Sequence, residues 1–590
     1  MDPAQLSQRL TTHEEAKKGV TLLFTNHYGA SDKHFLTHMG GEGEKQEALH
    51  SLGRGLVCFI KGVLSFEEHI VQQGLDNLVS SKTLAQPLTT ANHSSLLTKI
   101  WSFSMSSSPP PPPQWVMAEH DLIMADASLM SSVLFLLQES YASYLKAALS
   151  LRESYNTYTA VRDYLVKAAE NPKDKSSSDL SLTDPLDQAT DRLDLYDGVA
   201  FGLGVFNLIV SLLPEKILGV AKFFGFEGDR EKALHSLNEC VHRGGLRSPL
   251  AGLLLLTYHT VLASFFSIPD ANLAEASEIL NILLKRYPNS ALFLWMGGKI
   301  ARIEGKLPEA LDQYTKALDA QKTSDEEEKK LHENEQDIKE VGGKQFQHLC
   351  IYELGWCYLL SQRFEEAEAQ FSLLLLESKW SKSTNAYLAA VSNFHSKNYD
   401  QATVLFKTIP QLLEKGNKAE VEVFVSRRTK RYLDSSSLPE EKRLFYPIFE
   451  LIYFWNGYSE LGSQGETILK EFERIEEEIK SLNETQDKWF SFEDTLILAL
   501  CKASLLKNMN KEDQAVEELN KILKNENQIK EEKYLIPYAK FDLARIEISK
   551  GNKEEAKTIL KPLKDSHYTG YDFETRLQYR ITSVYSSLKK

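Results

Sequence analysis

Between Gln114 and Asn171 the chain has neither Gly nor Pro, and apolar side chains return at spacings of three and four, as at Leu122, Leu129, Val133, Leu136 and Leu137. That spacing follows the turn of an α-helix and predicts long amphipathic helices. The same pattern covers nearly all of the chain, while alternating β-branched runs closed by Asn-Gly or Asp-Gly turns are missing. The prediction is an all-α fold.

A repeat appears when alanines are aligned that precede a bulky residue four positions on and an apolar one three beyond it. The anchors are Ala233/Leu237/Cys240, Ala276/Leu280/Leu283, Ala310/Tyr314/Ala317, Ala367/Phe371/Leu374, Ala402/Phe406/Ile409, Ala515/Leu519/Ile522 and Ala556/Leu560/Leu563. Ala276 to Ala310 is 34 residues, the tetratricopeptide period, and Ala367 to Ala402 is 35. The 57 residues from Ala310 to Ala367 are one period plus an insertion. Ahead of Ala367, Ile351, Leu354, Gly355 and Tyr358 match the first helix of such a repeat, with Gly355 and Ala367 expected where two antiparallel helices cross. Pro288 and Pro410 fall where second helices should stop. These signals predict an α-solenoid of tetratricopeptide-like helix pairs with an N-terminal helical region.

Punctuation supplies the boundaries. Ser106–Pro113 is read as a stiff polyproline spacer, since its prolines lack the flanking Arg or Lys of a recognition motif, and Lys173–Asp184 as a polar linker. Ala320–Gly343 is so charged that it is expected to be a solvated insertion, dispensable for folding. The expected parts are residues 1–190, the N-terminal region; 191–345, a first repeat block; and 346–590, a second block with a C-terminal capping helix.

Charge narrows the partners. With 68 Lys+Arg against 82 Asp+Glu the net charge is −14, which argues against general affinity for nucleic acid or an anionic membrane. Five scattered cysteines without Cys-x-x-Cys spacing point to a reducing compartment and a cytoplasmic protein. The first residues read as neither a secretory signal nor a transit peptide. The apolar runs Val199–Leu213 and Leu250–Ile268 read as buried core helices, the first too short and the second too polar to span a bilayer. Membrane association, if any, is expected to be peripheral.

No motif supplies catalytic chemistry. Gly202-Leu-Gly204 lacks the third glycine of a nucleotide loop, because Asn207 stands there. His34 and His38 are one helical turn apart, but Phe35 replaces the Glu of a zinc-protease helix and no third ligand is evident in the sequence. Cys350 and Cys357 fit a helix core better than a nucleophile. The expectation is a protein that is not an enzyme, with no cofactor and no metal.

Two binding candidates remain. Counting from the anchors, Trp295, Lys299, Arg302, Tyr352, Trp356, Tyr387 and Phe394 fall on the inner surface of the repeat stack, where aromatic side chains would anchor a peptide or partner helix unless the chain fills the groove itself. Receptors for chaperone tails need Lys and Asn at two of these positions; here they hold Trp295 and Lys299, then Tyr352 and Trp356, then Tyr387 and Val391. That is an apolar surface rather than a carboxylate clamp. The second candidate is the basic run Arg427, Arg428, Lys430 and Arg431, either a site for an acidic partner or lipid headgroups or a solvated helix face.

Several segments in order, LRESYNTY (151–158), YDGVAFGLGVFNLIVSLLPEKIL (196–218), GFEGDRE (225–231), LLLLTYHT (253–260), HLCIYELGWCY (348–358), ESKWSKSTNAYL (377–388) and FWNGY (454–458), resemble the tetratricopeptide repeat protein 39 family. That family includes a fungal outer-membrane and inclusion-body clearance protein. The resemblance implies a non-enzymatic helical-repeat protein of cytosol and nucleus whose partners are proteins. It also implies links to lipid droplets, the mitochondrial outer membrane and clearance of misfolded aggregates. A lipid-binding or lipid-transfer protein with an apolar helical cavity is the alternative.

Overall fold

Every regular element among the described residues is helical. The computed structural model describes residues 3–40, 47–65, 67–90, 114–138, 140–170, 190–212, 228–266, 268, 271–331, 343–413, 419–485, 489–565 and 567–588. The polyproline spacer and the polar linker expected above lie outside them. The helices begin with α1 (Pro3–Phe24), α2 (Tyr28–His38), α3 (Ala48–Ser65), α4 (Glu68–Ala85), α5 (Gln114–Leu137) and α6 (Tyr141–Glu170). Next come α7 (Thr190–Leu212), α8 (Arg230–Arg243), α9 (Ser248–Thr257), α10 (Leu273–Arg286), α11 (Ala291–Ile303) and α12 (Leu307–Leu331). They continue with α13 (Lys344–Leu360), α14 (Phe364–Glu377), α15 (Lys382–His395), α16 (Tyr399–Leu412), α17 (Glu420–Asp434) and α18 (Pro447–Phe454). The last are α19 (Gln464–Thr485), α20 (Phe492–Asn508), α21 (Glu512–Leu523), α22 (Leu535–Ser549), α23 (Lys553–Lys564) and α24 (Glu574–Ser587).

Local chemistry sets several helix ends. The Asp229 side chain accepts the Lys232 N–H at 3.1 Å to start α8, and Gly244, at φ +76°, closes it in the left-handed conformation that glycine adopts without strain. Ser491 and Asp494 form a reciprocal capping box at the start of α20.

The chain divides into two compact units that interleave in sequence. The first comprises Met1–Leu256, Glu278–Phe293 and Asp319–Gln347, and the second Thr257–Ser277, Leu294–Leu318 and His348–Lys590. In the first unit Leu52 of α3, Leu75 and Leu78 of α4, and Ile123 and Leu134 of α5 share one core. Glycines permit close helix contacts: a Cβ on Gly202 would stand 2.1 Å from the Tyr158 ring, and one on Gly204 2.9 Å from Leu237. The Gly202-Leu-Gly204 motif is thus a packing device of α7. Beneath it the Tyr158 hydroxyl donates to Asp126 Oδ1 at 2.5 Å, and Arg247 Nε donates to Asp126 Oδ2 at 2.9 Å.

All seven anchor triplets lie on helices and are buried. In the second unit α11 pairs with α12 and α13 with α14. A Cβ on Gly298 would stand 2.5 Å from Tyr314 and one on Gly355 2.8 Å from Phe371, sixteen residues on in both cases. The repeat register read from the alanines is therefore the packing register. Burying a side chain as large as Phe371 contributes about 1.5–3 kcal/mol.

Two expectations are corrected. Residues 320–331 of the charged insertion extend α12 and are solvated on one face only. Gln321, Ser324, Asp325 and Glu328 are buried, Ser324 Oγ donates to the Asn26 carbonyl at 2.8 Å, and Glu328 Oε1 accepts the Gly29 and Ala30 N–H groups at 2.6 and 3.2 Å. A polar composition concealed these contacts because Ser324 and Glu328 find their partners in a segment about 300 residues away. Residues 332–342 lie outside the described residues. Second, the helices Gln114–Leu137, Asp194–Leu212 and Ser248–Phe265 are, by length and composition, long and apolar enough to cross a membrane, so the expected shortfalls of length and apolarity do not hold. Their apolar windows are 61%, 61% and 50% buried within the protein.

Candidate interaction surface

The residues expected to line an open groove are interior. Trp356 of α13 is 2% exposed, its ring stacked on Trp455 just beyond α18, and the Trp455 Nε1–H donates to the Tyr352 hydroxyl at 3.0 Å. Tyr387 of α15 is fully buried, edge-on to Phe406 of α16 and Phe424 of α17. Phe394 packs edge-on to Tyr399, and Trp295 is buried against Tyr314. Side chains of α17 and those following α18 cover Tyr387, Tyr352 and Trp356.

The two basic residues assigned to that groove are committed as well. Lys299 Nζ lies 3.2 Å from Glu353 Oε1, Arg302 binds the other Glu353 oxygen, and Arg302 Nε reaches Glu460 at 2.9 Å. Burial pushes the Glu353 carboxyl up, but the Arg302 and Lys299 charges outweigh it and hold it below its ordinary value.

The basic run on α17 is likewise not a patch for an acidic partner. Arg427 holds Glu532 with two hydrogen bonds, 2.9 and 2.8 Å, and also binds Asp572. Arg428, 3% exposed, donates to both Glu532 oxygens at 2.6 and 3.0 Å and to Glu450. Arg431 donates to Asp494 at 2.5 Å, so the residue that caps α20 also receives α17. Of the four, only Lys430 is exposed. Desolvation opposes the charge on Glu532, yet Arg428 and Arg427 hold its carboxyl down to about 2, while burial raises that of neighbouring Glu450. Burying these charges without partners would cost several kcal/mol each, so the network is a structural tie of the second unit.

Among the described residues, a row of exposed apolar side chains lies on α6 of the first unit. Tyr141, Tyr144, Leu145 and Leu149 are 95%, 45%, 63% and 58% exposed and recur at three- and four-residue spacing, which puts them on one helix face. The buried side of α6 carries Ser143, Ala147 and Ser154, then Tyr158, Val161 and Leu165. The sequence reading singled out none of these exposed positions, and small residues stand at 143, 147 and 154 on the other side.

The model of the Iml2/Tetratricopeptide repeat protein 39 family matches residues 17–509. The chain belongs to this family. The match confirms the sequence resemblance and spans both compact units. Among solved structures, the chain is similar to a tetratricopeptide repeat protein from Parabacteroides merdae, with 18% identity, 56% of this chain and 99% of that one covered, and a TM-score of 0.23. It is also similar to yeast Tom70, with 12% identity, 98% and 95% coverage and a TM-score of 0.29. At such TM-scores the all-α repeat fold of this family member rests on its own helix pairs.

Proposed function

We propose that the chain is a non-enzymatic helical-repeat scaffold that binds other proteins, acting in lipid-droplet-linked clearance of misfolded-protein inclusions or at the mitochondrial surface. Its place in this reading is the cytoplasm, with the nucleus and the outer face of the mitochondrion as further sites. The observation that carries the binding role is the α6 face. Folded chains seldom leave a row of large apolar side chains in water unless a partner covers it, and Tyr141 and Tyr144 are of the type that dominates interface energetics.

The lipid-carrier alternative needs a cavity for an acyl chain. An apolar cavity in the first unit, lined by Val20, Phe35, Leu52, Leu56, Met130 and Leu250, has a volume of about 50 Å³. That is well below the ~150 Å³ that admits a benzene molecule, so this pocket does not hold an acyl chain.

The test replaces Leu145 and Leu149 with Glu in the full chain, in cells carrying an aggregation-prone reporter. Proximity labelling should lose its strongest neighbours and reporter clearance should slow. The melting temperature should hold, since exposed positions change stability by only about 0.5 kcal/mol. An unchanged set of neighbours together with unchanged clearance would sink the reading.

A further inference from the structure

Glu15 of α1 and His34 and His38 of α2 converge on one point of the first unit. Glu15 Oε2 lies 3.4 Å from His34 Nε2 and 3.5 Å from His38 Nε2, and one donor atom from each of the three residues lies within 4.8 Å of the others. Two atoms that each bind a tetrahedral Zn²⁺ at 2.0–2.1 Å are about 3.3 Å apart, close to both separations. The two imidazole rings stand with centroids 4.3 Å apart. The sequence showed only the His34/His38 pair; folding brings in Glu15, nineteen residues earlier.

The surroundings orient Glu15 and His38 as a metal site requires. His38 Nδ1–H donates to the His34 carbonyl at 2.8 Å, which fixes the tautomer and leaves the Nε2 lone pair turned toward Glu15. Lys18 Nζ holds Glu15 Oε1 at 2.7 Å, leaving Oε2 for the histidines. His34 Nε2 also reaches the Glu15 carbonyl oxygen at 2.8 Å, a hydrogen bond that metal binding would replace. Beside the cluster, His50 of α3 stacks on His38 with centroids 5.6 Å apart; it is 2% exposed, and neither ring nitrogen has a hydrogen-bond partner. A buried imidazole with two unsatisfied nitrogens is costly unless something else uses it.

The geometry points to a divalent transition-metal site formed by Glu15, His34 and His38, of the two-imidazole, one-carboxylate type that takes Zn²⁺. Three protein ligands leave a coordination position open to water. Bound there, the ion braces α1 against α2.

The experiment titrates the full chain, stripped with a chelator, with Zn²⁺ by calorimetry and with Co²⁺ by visible absorption. The expected result is one saturable site, cobalt bands of a nitrogen- and oxygen-ligated ion, and a melting temperature that rises with zinc. Glu15→Gln and the double variant His34→Ala/His38→Ala should each weaken zinc at least tenfold and abolish the zinc-dependent rise in melting. If the double variant fails to fold, Glu15→Gln at a half-buried position decides alone. Zinc affinity equal in wild type and Glu15→Gln, or no saturable binding in the wild type, would overturn the assignment.

Discussion

The indole of Trp455 lies on that of Trp356, with ring centroids 5.2 Å apart and planes 21° from parallel. This stack, with the Trp455 hydrogen bond to Tyr352, turns what the repeat pattern marks as a binding surface into core. Trp356→Ala is therefore expected to cost about 3–5 kcal/mol of stability, as truncation of a buried Trp does. Thermal unfolding followed by circular dichroism measures it, and a melting curve like that of the wild type would place the indole outside the core.

Phe371 lies against Gly355 one helix away, and Ala367, a turn earlier on α14, is fully buried. Ala367→Phe should overpack this crossing and cost about 1–3 kcal/mol. Gly355→Val should also destabilise, because its Cβ would meet the Phe371 ring at 2.8 Å. Chemical denaturation of the two variants tests the register; wild-type midpoints for both would contradict it.

Glu328 accepts two N–H groups at the start of α2, where a helix favours negative charge. Glu328→Ala should cost about 1–3 kcal/mol, since those donors stay partly buried without it. Hydrogen exchange at Gly29 and Ala30 should accelerate. Deleting Thr323–Glu340, which composition alone suggests is harmless, should destabilise the first unit by more than the point variant. Equal stability of the deletion and the wild type would return the segment to the status of a loop.

The pair of Glu532 with Arg427 and Arg428 sets a pH dependence. The Glu532 carboxyl is held at about 2 in the folded protein against an ordinary 4.5. Its contribution is fully present above pH 4.5 and declines as pH falls toward 2, because the unfolded chain takes up the proton first. Glu532→Gln should lower stability at pH 7 by on the order of 3 kcal/mol, as removal of one partner of a buried ion pair does. The gap between the two proteins should narrow as pH falls below 4.5. A gap constant from pH 7 to pH 3 would show that the Glu532 charge adds nothing.

The sequence by itself determined the helical class, the seven anchors and the crossing of Gly355 with its partner helix. Those features depend on contacts within a helix or between helices adjacent in the chain, and such contacts repeat at a fixed period. Only the tertiary structure decided what each remaining face meets. Arg428 finds Glu532 across 104 residues, Trp455 finds Tyr352 across 103, and Glu328 finds Gly29 across 299. No period encodes such pairings, since a charged or aromatic side chain reads alike in sequence whether water or another helix covers it. The same limit hid Glu15 from His34 and His38.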